Sequence, residues 1–245
     1  MKNIMRTIRI YVPGLYQENM HLPLSKEASH HLVTVLRLPV NTPITVFNGH
    51  NVEAEGSLIT AHKKEAMIDI HRVSTRSTES PLYLSLAQAI SKGDKMDWVI
   101  QKAVELGVSD ITPIISQHMA YKLDKEKLEK KQQHWQTIAI NACEQCGRNF
   151  VPTVNHPMTF DAFIKGCDTA HKLLLDPSSQ NKLSSLEKTL PTTLMIGPEG
   201  GFSNNEVVAA ASQGFLGKSL GPRILRTETA ALTAIALLQA TLGDL

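Results

Sequence analysis

The stretch MIGPEGGFSNNE, residues 195–206, joins the end of an apolar run to the beginning of a helix. Ser203 and Glu206 have the spacing of a capping box, so the helix start behind the loop is well specified. Three glycines precede this box: Gly197, Gly200 and Gly201. Glycines permit a positive φ or a close approach of backbone to ligand, although an ordinary turn uses the same residue types. Because open α/β sheets bind ligands at strand-to-helix junctions, the stretch predicts a binding loop in an α/β fold.

Strands and helices alternate on both sides of this loop from about residue 82 onward. The predicted strands are LYLSLAQAI (82–90), ITPIIS (111–116), HKLLLD (171–176), TLMIG (193–197) and FLGKSL (215–220). The predicted helices are DKMDWVIQKAVELG with Asp94 as N-cap and Gly107 as C′, a long helix from about Asp124 to Cys146, residues 204–213, and a final helix from an N-cap at Thr227 to about Leu242. This alternation predicts a mostly parallel sheet covered by helices.

The front of the chain has a different pattern. Residues 4–72 consist of short β-type runs with turn signals, interrupted by one predicted helix, SKEASHHLVTVLRL, with Ser25 as N-cap. This pattern predicts a small β-barrel. The polar stretch STRSTESP, residues 74–81, is the best linker candidate. We therefore expect a front domain over residues 1–74 and a second domain over residues 82–245.

Composition narrows the function classes. The chain has 245 residues, of which 42% are hydrophobic and 20% charged, and no apolar run approaches eighteen residues. We expect a cytoplasmic protein without a membrane span. The net charge is only +2, but residues up to Arg76 contain nine Lys or Arg against six Asp or Glu. A polyanion is therefore expected to bind mainly at the front, where four residues are candidates for phosphate contact, with solvated surface as the alternative for each: Arg6, Arg9, His31 and Arg37.

The ligand of the glycine-rich loop is not a phosphate of the familiar kinds. No Lys-Ser or Lys-Thr follows the glycines, and the spacing does not match G-x-G-x-x-G. Glu199 would repel a phosphate but tolerate a cationic ligand. A second loop, beginning at Leu220-Gly221-Pro222, carries Arg226 at the start of the final helix. Two such loops at neighbouring strand ends could close around one small molecule.

The stretch HWQTIAINACEQCGR, residues 134–148, contains a C-x-x-C pair at the end of the long helix. Cys143 and Cys146 are predicted to pack as small hydrophobic residues, because a redox pair prefers a helix N-terminus and zinc would need two more ligands. We therefore expect no metal. Glu144 and Arg148 are spaced for an i,i+4 salt bridge, and a functional role for them is equally open.

Four segments together carry a resemblance to a known family. These are KGDKMDWVIQKAVELGV (92–108), NACEQCGR (141–148), IGPEGGFSNNEV (196–207) and LGPRILRTETAALTAIALL (220–238), and HHLVTVLRLPVNTPITVFNG (30–49) resembles the front domain of the same family. In this order they resemble the bacterial 16S ribosomal RNA (uracil-N3) methyltransferases of the SPOUT class. Two departures are Asn41-Thr42, where the family commonly has Gly-Asp, and Gln133-His134, where it often has Glu-Arg.

The resemblance implies a PUA-like RNA-binding β-barrel followed by a SPOUT-type α/β domain with a deep trefoil knot over about residues 170–245, and a homodimer. It also implies S-adenosylmethionine as methyl donor and 16S rRNA in the small ribosomal subunit as substrate. Carried over position by position, the donor site comprises Leu175, Ile196, Gly197, Pro198, Glu199, Gly200, Gly201, Leu220, Gly221, Ile224, Leu225, Arg226 and Thr229.

Methyl transfer to uracil N3 requires loss of a proton and stabilisation of the developing negative charge. We assign the catalytic group as Arg226, with Glu144 and Arg148 orienting the base, and we leave the proton acceptor open between Glu199 and Glu228. Two alternatives are a SPOUT enzyme that modifies a ribose hydroxyl or a guanine nitrogen, and an RNA chaperone or assembly factor without catalysis.

Overall fold

The computed structural model describes residues 8–119, 124–183, 186 and 189–245. Within these residues the chain forms two compact units. The first unit consists of the described residues up to Glu79 together with Cys143–Val151, and the second consists of Ser80–Ala142 together with Pro152–Leu245. The second unit thus lacks nine residues that our predicted domain over residues 82–245 included.

The described residues of the first unit form a five-stranded sheet in the order β1-β3-β4-β5-β2. Its strands are β1 (Ile8–Tyr11), β2 (His21–Pro23), β3 (Pro43–Phe47), β4 (Val52–Thr60) and β5 (Met67–Thr75). β1 runs parallel to β3, and the other pairs are antiparallel. Among the described residues no strand pairing joins β1 to β2, so the hydrogen-bonded sheet is not closed into the predicted barrel.

One helix interrupts these strands, as predicted. α1 (Lys26–His30) begins where the Ser25 hydroxyl accepts a hydrogen bond from the Ala28 N–H, so the predicted N-cap is confirmed. The chain continues as a π-helical turn, His31–Val35. Leu32 lies fully buried in the core of this unit, together with apolar side chains from the strands such as Ile44, Leu58 and Ile68.

The described residues of the second unit form a seven-stranded parallel sheet in the order β12-β10-β11-β6-β7-β8, with β9 also paired to β7. Its strands are β6 (Leu84–Ala89), β7 (Asp110–Ile115), β8 (Thr153–Val154), β9 (Met158–Thr159), β10 (His171–Leu175), β11 (Thr192–Ile196) and β12 (Leu216–Lys218). β6 and β11 are buried along their whole length, as is typical of the central strands of a parallel sheet. The predicted parallel α/β architecture is confirmed.

The helices that follow β6 in the sequence are α2 (Lys95–Glu105), α3 (Lys125–Cys146), α4 (Phe160–Gly166), α5 (Asn204–Ser212) and α6 (Thr227–Leu242). They agree with the predicted pattern, except that α4 was not predicted. The capping box before α5 is present, with Ser203 and Glu206 each accepting a hydrogen bond from the other's backbone N–H. Asp94 lies at the predicted N-cap of α2, but its side chain caps nothing there.

One helix start differs from the prediction. The N-cap of α6 is Arg226, and Thr227 is already the first helical residue. α3 ends at Cys146 as predicted, and Gly147 follows with φ +87°. Phe150 then forms β-bridges with Gly49 and His50, which places this end of the chain segment in the first unit.

Candidate active site

A cleft of about 480 Å³ lies at the carboxyl ends of β10 and β11. Its walls come from the segment after β10, the glycine-rich loop after β11, and the segment that leads into α6. The predicted donor-site residues that line it are Leu175, Ile196, Gly197, Pro198, Glu199, Gly201, Ile224, Leu225 and Arg226. The structure therefore brings together the two loops that the sequence singled out.

Four predicted donor-site residues do not line the cleft: Gly200, Leu220, Gly221 and Thr229. Gly200 faces His118, whose Cβ would lie 3.5 Å from a Cβ added at the glycine. Thr229 is exposed on the first turn of α6. Gly221 has φ +121°, a conformation that favours glycine, so its contribution is to the path of the loop.

Sequence reasoning missed several lining residues. These are Lys95, Leu174, Asp176, Pro177, Phe202, Val207, Thr227 and Ala230. Asp176 ends a predicted strand and Pro177 directly follows it, which is a signal that could have identified them. Lys95 comes from the start of α2, about a hundred residues away in sequence, and nothing local connects it to this loop.

Glu199 is held by one donor from the start of α2 and one from the segment just before it. Lys95 Nζ lies 2.9 Å from Glu199 Oε1, and the Lys92 N–H donates to the same oxygen over 3.3 Å. Burial disfavours ionisation of Glu199, but the hydrogen bonds from Lys95 and from backbone N–H groups outweigh it, so its pKa lies below the ordinary value. An ionised, hydrogen-bonded carboxylate of lowered pKa braces the loop and is a weak proton acceptor at neutral pH.

A second contact holds the same loop at Gly201. The Gly201 carbonyl oxygen lies 3.1 Å from His118 Nδ1. Since a carbonyl can only accept, this nitrogen of the imidazole must carry the proton. The loop is therefore tied to two different segments of the second unit, at Glu199 and at Gly201.

Arg226 is an exposed cation on the cleft wall. Its guanidinium makes no hydrogen bond or ion pair with any residue that the structure describes and does not cap α6, whereas its backbone carbonyl accepts the Ala230 N–H. The N-terminus of a helix carries a partial positive charge from its free N–H groups. Arg226 and the start of α6 together give this part of the cleft an affinity for negative charge.

Glu228, on the first turn of α6, is not among the residues that line the cleft. Its Oε2 atom is buried and accepts no hydrogen bond within the described residues. The helix N-terminus provides favourable electrostatics for this carboxylate.

Glu144 and Arg148 do not pair with each other, so the predicted i,i+4 salt bridge is wrong. The helix ends between them, at Cys146, and the i,i+4 geometry is lost. The Glu144 carboxylate instead accepts the Tyr11 N–H over 2.9 Å, and burial raises its pKa. Arg148 forms a two-point ion pair with Glu79 inside the first unit, and its side chain is 5% exposed.

The predicted packing of the cysteine pair holds for Cys143 but not for Cys146. Cys143 is buried, whereas Cys146 is exposed because it is the last residue of α3. Burial raises the pKa of the Cys143 thiol to about 12, which makes it a poor nucleophile. In the described part of the chain no group of three His, Cys, Asp or Glu side chains could hold a metal ion.

Arg9 is engaged inside the first unit. Its Nη1 atom lies 3.1 Å from Glu53 Oε2, and its guanidinium stacks over the Phe47 ring at 5.0 Å and also donates to Asn149. Its side chain is only 13% exposed. The geometry therefore argues against the predicted phosphate contact of Arg9, because the guanidinium already has protein partners. Arg6 lies outside the described residues.

His31 and Arg37 are both exposed on the first unit. His31 lines a second cleft, of about 510 Å³, together with Lys26, Glu27, His30, Val35, Lys63 and Lys64. We call this the basic cleft. Arg37 has φ +54°, which is uncommon for a residue with a Cβ, and it does not line the basic cleft. No described helix is both long enough and apolar enough to cross a membrane.

Comparisons with known proteins agree with this arrangement. Residues 78–239 match the family described as RNA methyltransferase domain, and residues 24–70 match the RNA methyltransferase PUA domain. The chain is 38% identical over 242 residues to ribosomal RNA small subunit methyltransferase E of Buchnera aphidicola, which covers 98% of each chain.

Two solved structures are similar over nearly their whole length. One, from Legionella pneumophila, is described as a methyltransferase in complex with the bound cofactor S-adenosylmethionine; it has 47% identity and a TM-score of 0.95, over 98% of this chain and 100% of that one. The other is ribosomal RNA small subunit methyltransferase E from Neisseria gonorrhoeae bound to S-adenosylmethionine, with 36% identity and a TM-score of 0.90, over 97% and 99%. The resemblance drawn from the sequence is confirmed: the chain belongs to the RNA methyltransferase family of the ribosomal RNA small subunit methyltransferases E.

Proposed function

We propose that this protein transfers a methyl group from S-adenosylmethionine to N3 of a uridine in 16S rRNA of the small ribosomal subunit. The observation that carries the proposal is the cleft at the ends of β10 and β11, in a chain whose similar structures from two bacteria contain S-adenosylmethionine. A volume of about 480 Å³ is within the range of pockets for cofactors.

The residues of the cleft fit this donor. Leu175, Ile196 and Leu225 offer apolar surface for an adenine ring, and the carboxylates of Glu199 and Asp176 suit a molecule with positively charged groups. When bound, the donor supplies a methyl group attached to a positively charged sulfur, which is already activated for transfer. The protein therefore has to bind and orient the acceptor base and to stabilise the charge that develops on it.

Arg226 is the residue that we propose for handling this charge. Uracil N3 is protonated at neutral pH, and negative charge develops over O2, N3 and O4 as the proton leaves. Because Arg226 has no partner among the described residues, its guanidinium can donate to these oxygens or hold the substrate phosphate. Glu199 is not suited to accept the proton, since Lys95 keeps it ionised and hydrogen-bonded.

For Glu144 and Arg148 we propose a positioning role. Their contacts to Tyr11 and Glu79 fix the segment Cys143–Val151 against the strands of the first unit. For RNA contact we propose the basic cleft, including His31, and the exposed Arg37. RNA affinity would then come mainly from phosphate contacts and shape.

We further propose, from the family resemblance, a trefoil knot over about residues 170–245, a homodimer, and a cytoplasmic location. The strand order supports the knot, because β12 lies beyond β10 and the chain then returns to the end of β11 at the start of α6. Sedimentation analysis tests the dimer.

Methylation of isolated small ribosomal subunits tests the proposed function. With labelled donor, mass spectrometry of the digested RNA is expected to show one N3-methyluridine. A methyl group on a ribose or a guanine would instead identify a different RNA methyltransferase activity. If calorimetry shows no binding of S-adenosylmethionine and the donor gives no thermal stabilisation, the protein is not the proposed enzyme.

A further inference from the structure

A buried glutamine stands behind the cleft without lining it. Gln88, near the carboxyl end of β6, is completely buried. Its Nε2 atom donates to the Ala89 carbonyl over 3.1 Å and to the Thr227 hydroxyl over 3.0 Å. The Thr227 hydroxyl in turn lies 2.6 Å from the Gly197 carbonyl oxygen. These contacts join three segments that are far apart in sequence.

The direction of this hydrogen-bond chain follows from the donors and acceptors available. The Ala89 carbonyl can only accept, so the amide nitrogen of Gln88, and not its oxygen, must face it. The same nitrogen then donates to the Thr227 hydroxyl. The Thr227 hydroxyl therefore donates its own proton to the Gly197 carbonyl, which also can only accept. Each group therefore has one fixed role.

This arrangement is unusual for a protein core. Gln88 is buried among apolar strands, and its Oε1 atom is buried without a hydrogen-bond partner within the described residues. An unpaired buried oxygen destabilises the folded state, and an apolar side chain of similar size would avoid that penalty. Thr227 is also buried, and its hydroxyl bonds across to another loop. Stability alone therefore does not account for the choice of glutamine at position 88.

We propose that Gln88 and Thr227 are positioning residues that hold the two walls of the cleft at a fixed separation. Gly197 begins one wall, and Arg226, which directly precedes Thr227, belongs to the other. Because Thr227 is tied to Gly197, the backbone of Arg226 is fixed with respect to the glycine-rich loop. Small displacements of positioned groups cause large losses of rate. The inference rests on the proposed function of the cleft.

Substitution of Thr227 tests the hydrogen-bond chain directly. Thr227→Val keeps the shape but leaves the Gly197 carbonyl and one Gln88 donor unpaired, so we expect S-adenosylmethionine to bind roughly 10-fold more weakly and kcat to fall by a similar factor. Thr227→Ser restores the hydroxyl and is expected to stay within about twofold of wild type. Calorimetry with S-adenosylmethionine and single-turnover methylation measure the two quantities separately.

Thr193→Val is the matched control. Thr193 is a buried threonine of β11 whose hydroxyl bonds to Thr169, and it does not line the cleft. It should lower the melting temperature about as much as Thr227→Val but leave donor affinity unchanged. Gln88→Leu is a second variant, which removes the other end of the hydrogen-bond chain. We expect it to cause a smaller loss of affinity for S-adenosylmethionine.

Two outcomes overturn the inference while leaving the proposed function intact: wild-type donor affinity and kcat in Thr227→Val, or equal losses in Thr227→Val and Thr193→Val. If the wild-type protein itself neither binds the donor nor methylates small subunits, the proposed function fails instead.

Discussion

Arg148 lies two residues beyond the end of α3 and Arg226 is the N-cap of α6, and the two arginines have opposite environments. Arg148 is buried in the first unit and forms a two-point ion pair with Glu79. Arg226 is exposed on the cleft of the second unit and has no partner among the described residues. The first unit thus neutralises its buried cations internally, as Arg9 and Glu53 also show.

The difference separates two functions that arginine performs. A buried arginine without a partner would be strongly destabilising, so pairing is a condition of the fold. An exposed arginine without a protein partner keeps its five N–H donors for a carboxylate, a phosphate or a developing negative charge. Whether an arginine is buried and whether it has a protein partner decide which function it has. Neither property can be read from the sequence around the arginine.

The largest expected effect is on Arg226. Arg226→Ala removes the proposed stabilisation of charge on the base, and loss of one such donor typically lowers kcat about 10²- to 10³-fold. Single-turnover methylation of small subunits measures the rate, and calorimetry measures donor binding. The folded state should not lose stability, because the side chain has no internal partner.

Arg223→Ala is the control for this variant, because Arg223 is also exposed nearby but does not line the cleft. If Arg226→Ala weakens donor binding and activity equally, Arg226 serves the donor, and the role in the transition state is refuted.

The second-largest effect is expected at Arg148, and it concerns the stability of the protein. Arg148→Ala leaves Glu79 without its partner and is expected to lower the free energy of unfolding by about 3 kcal/mol. Urea denaturation checks this value. Arg72→Ala breaks the exposed pair with Glu55 and should leave the free energy of unfolding almost unchanged, because solvent screens exposed pairs. A variant Arg148→Lys that keeps its stability but loses kcat would show that Arg148 contributes to catalysis beyond positioning.

A smaller effect is expected at the ion pair of Lys95 and Glu199, in which both side chains are about one-third exposed. Glu199→Gln removes the charge that Lys95 holds, and donor affinity should fall about fivefold or less. Lys102→Met, which breaks the pair with Glu105 on the same helix, should leave donor affinity unchanged. Equal effects of the two variants would contradict a specific role of Glu199.

The same pair predicts a pH dependence. The pKa of Glu199 is lowered from 4.5 in the folded protein, so its stabilising contribution is complete above about pH 4.5 and is lost as the pH falls through the lower, folded-state pKa. Glu199→Gln should remove this contribution from the dependence of the free energy of unfolding on pH, measured by urea denaturation at acidic pH.

The smallest effect is expected in the basic cleft. Lys64→Gln should weaken binding to a 16S rRNA fragment about twofold and reduce the slope of log affinity against log salt by about one. Lys125→Gln, which changes an exposed lysine of α3 in the second unit, serves as the control. An unchanged slope for Lys64→Gln would remove the basic cleft from the proposed RNA contacts.

Local sequence signals predicted the fold well. The capping box at Ser203 and Glu206, the alternation of strands and helices, and the span of α3 depend on residues close together in sequence, and the structure confirms them. The error at Thr227 is one position, and it has a physical cause: the hydroxyl that was expected to cap α6 donates to Gly197 instead. Rules that use neighbouring residues cannot predict a partner thirty positions away in the sequence.

Distant pairing accounts for the errors within the candidate site. Arg9, Arg148 and Glu144 were judged as surface or helix residues, but their partners come from other segments of the first unit. Lys95 was missed for the same reason, since its partner Glu199 lies 104 positions further on. The two glycine-rich loops could be predicted because the fold places successive strand ends at one edge of the sheet.

Arg226 also occupies the N-cap of α6, where Ser, Thr, Asp or Asn would bond to a free N–H of the first turn. Replacing it by Asp would be expected to stabilise the helix by about 1 kcal/mol. A selection for thermostability alone would therefore favour the residue that abolishes the proposed catalysis. This position marks a trade-off between stability and activity, and stability-guided redesign of this enzyme should leave it unchanged.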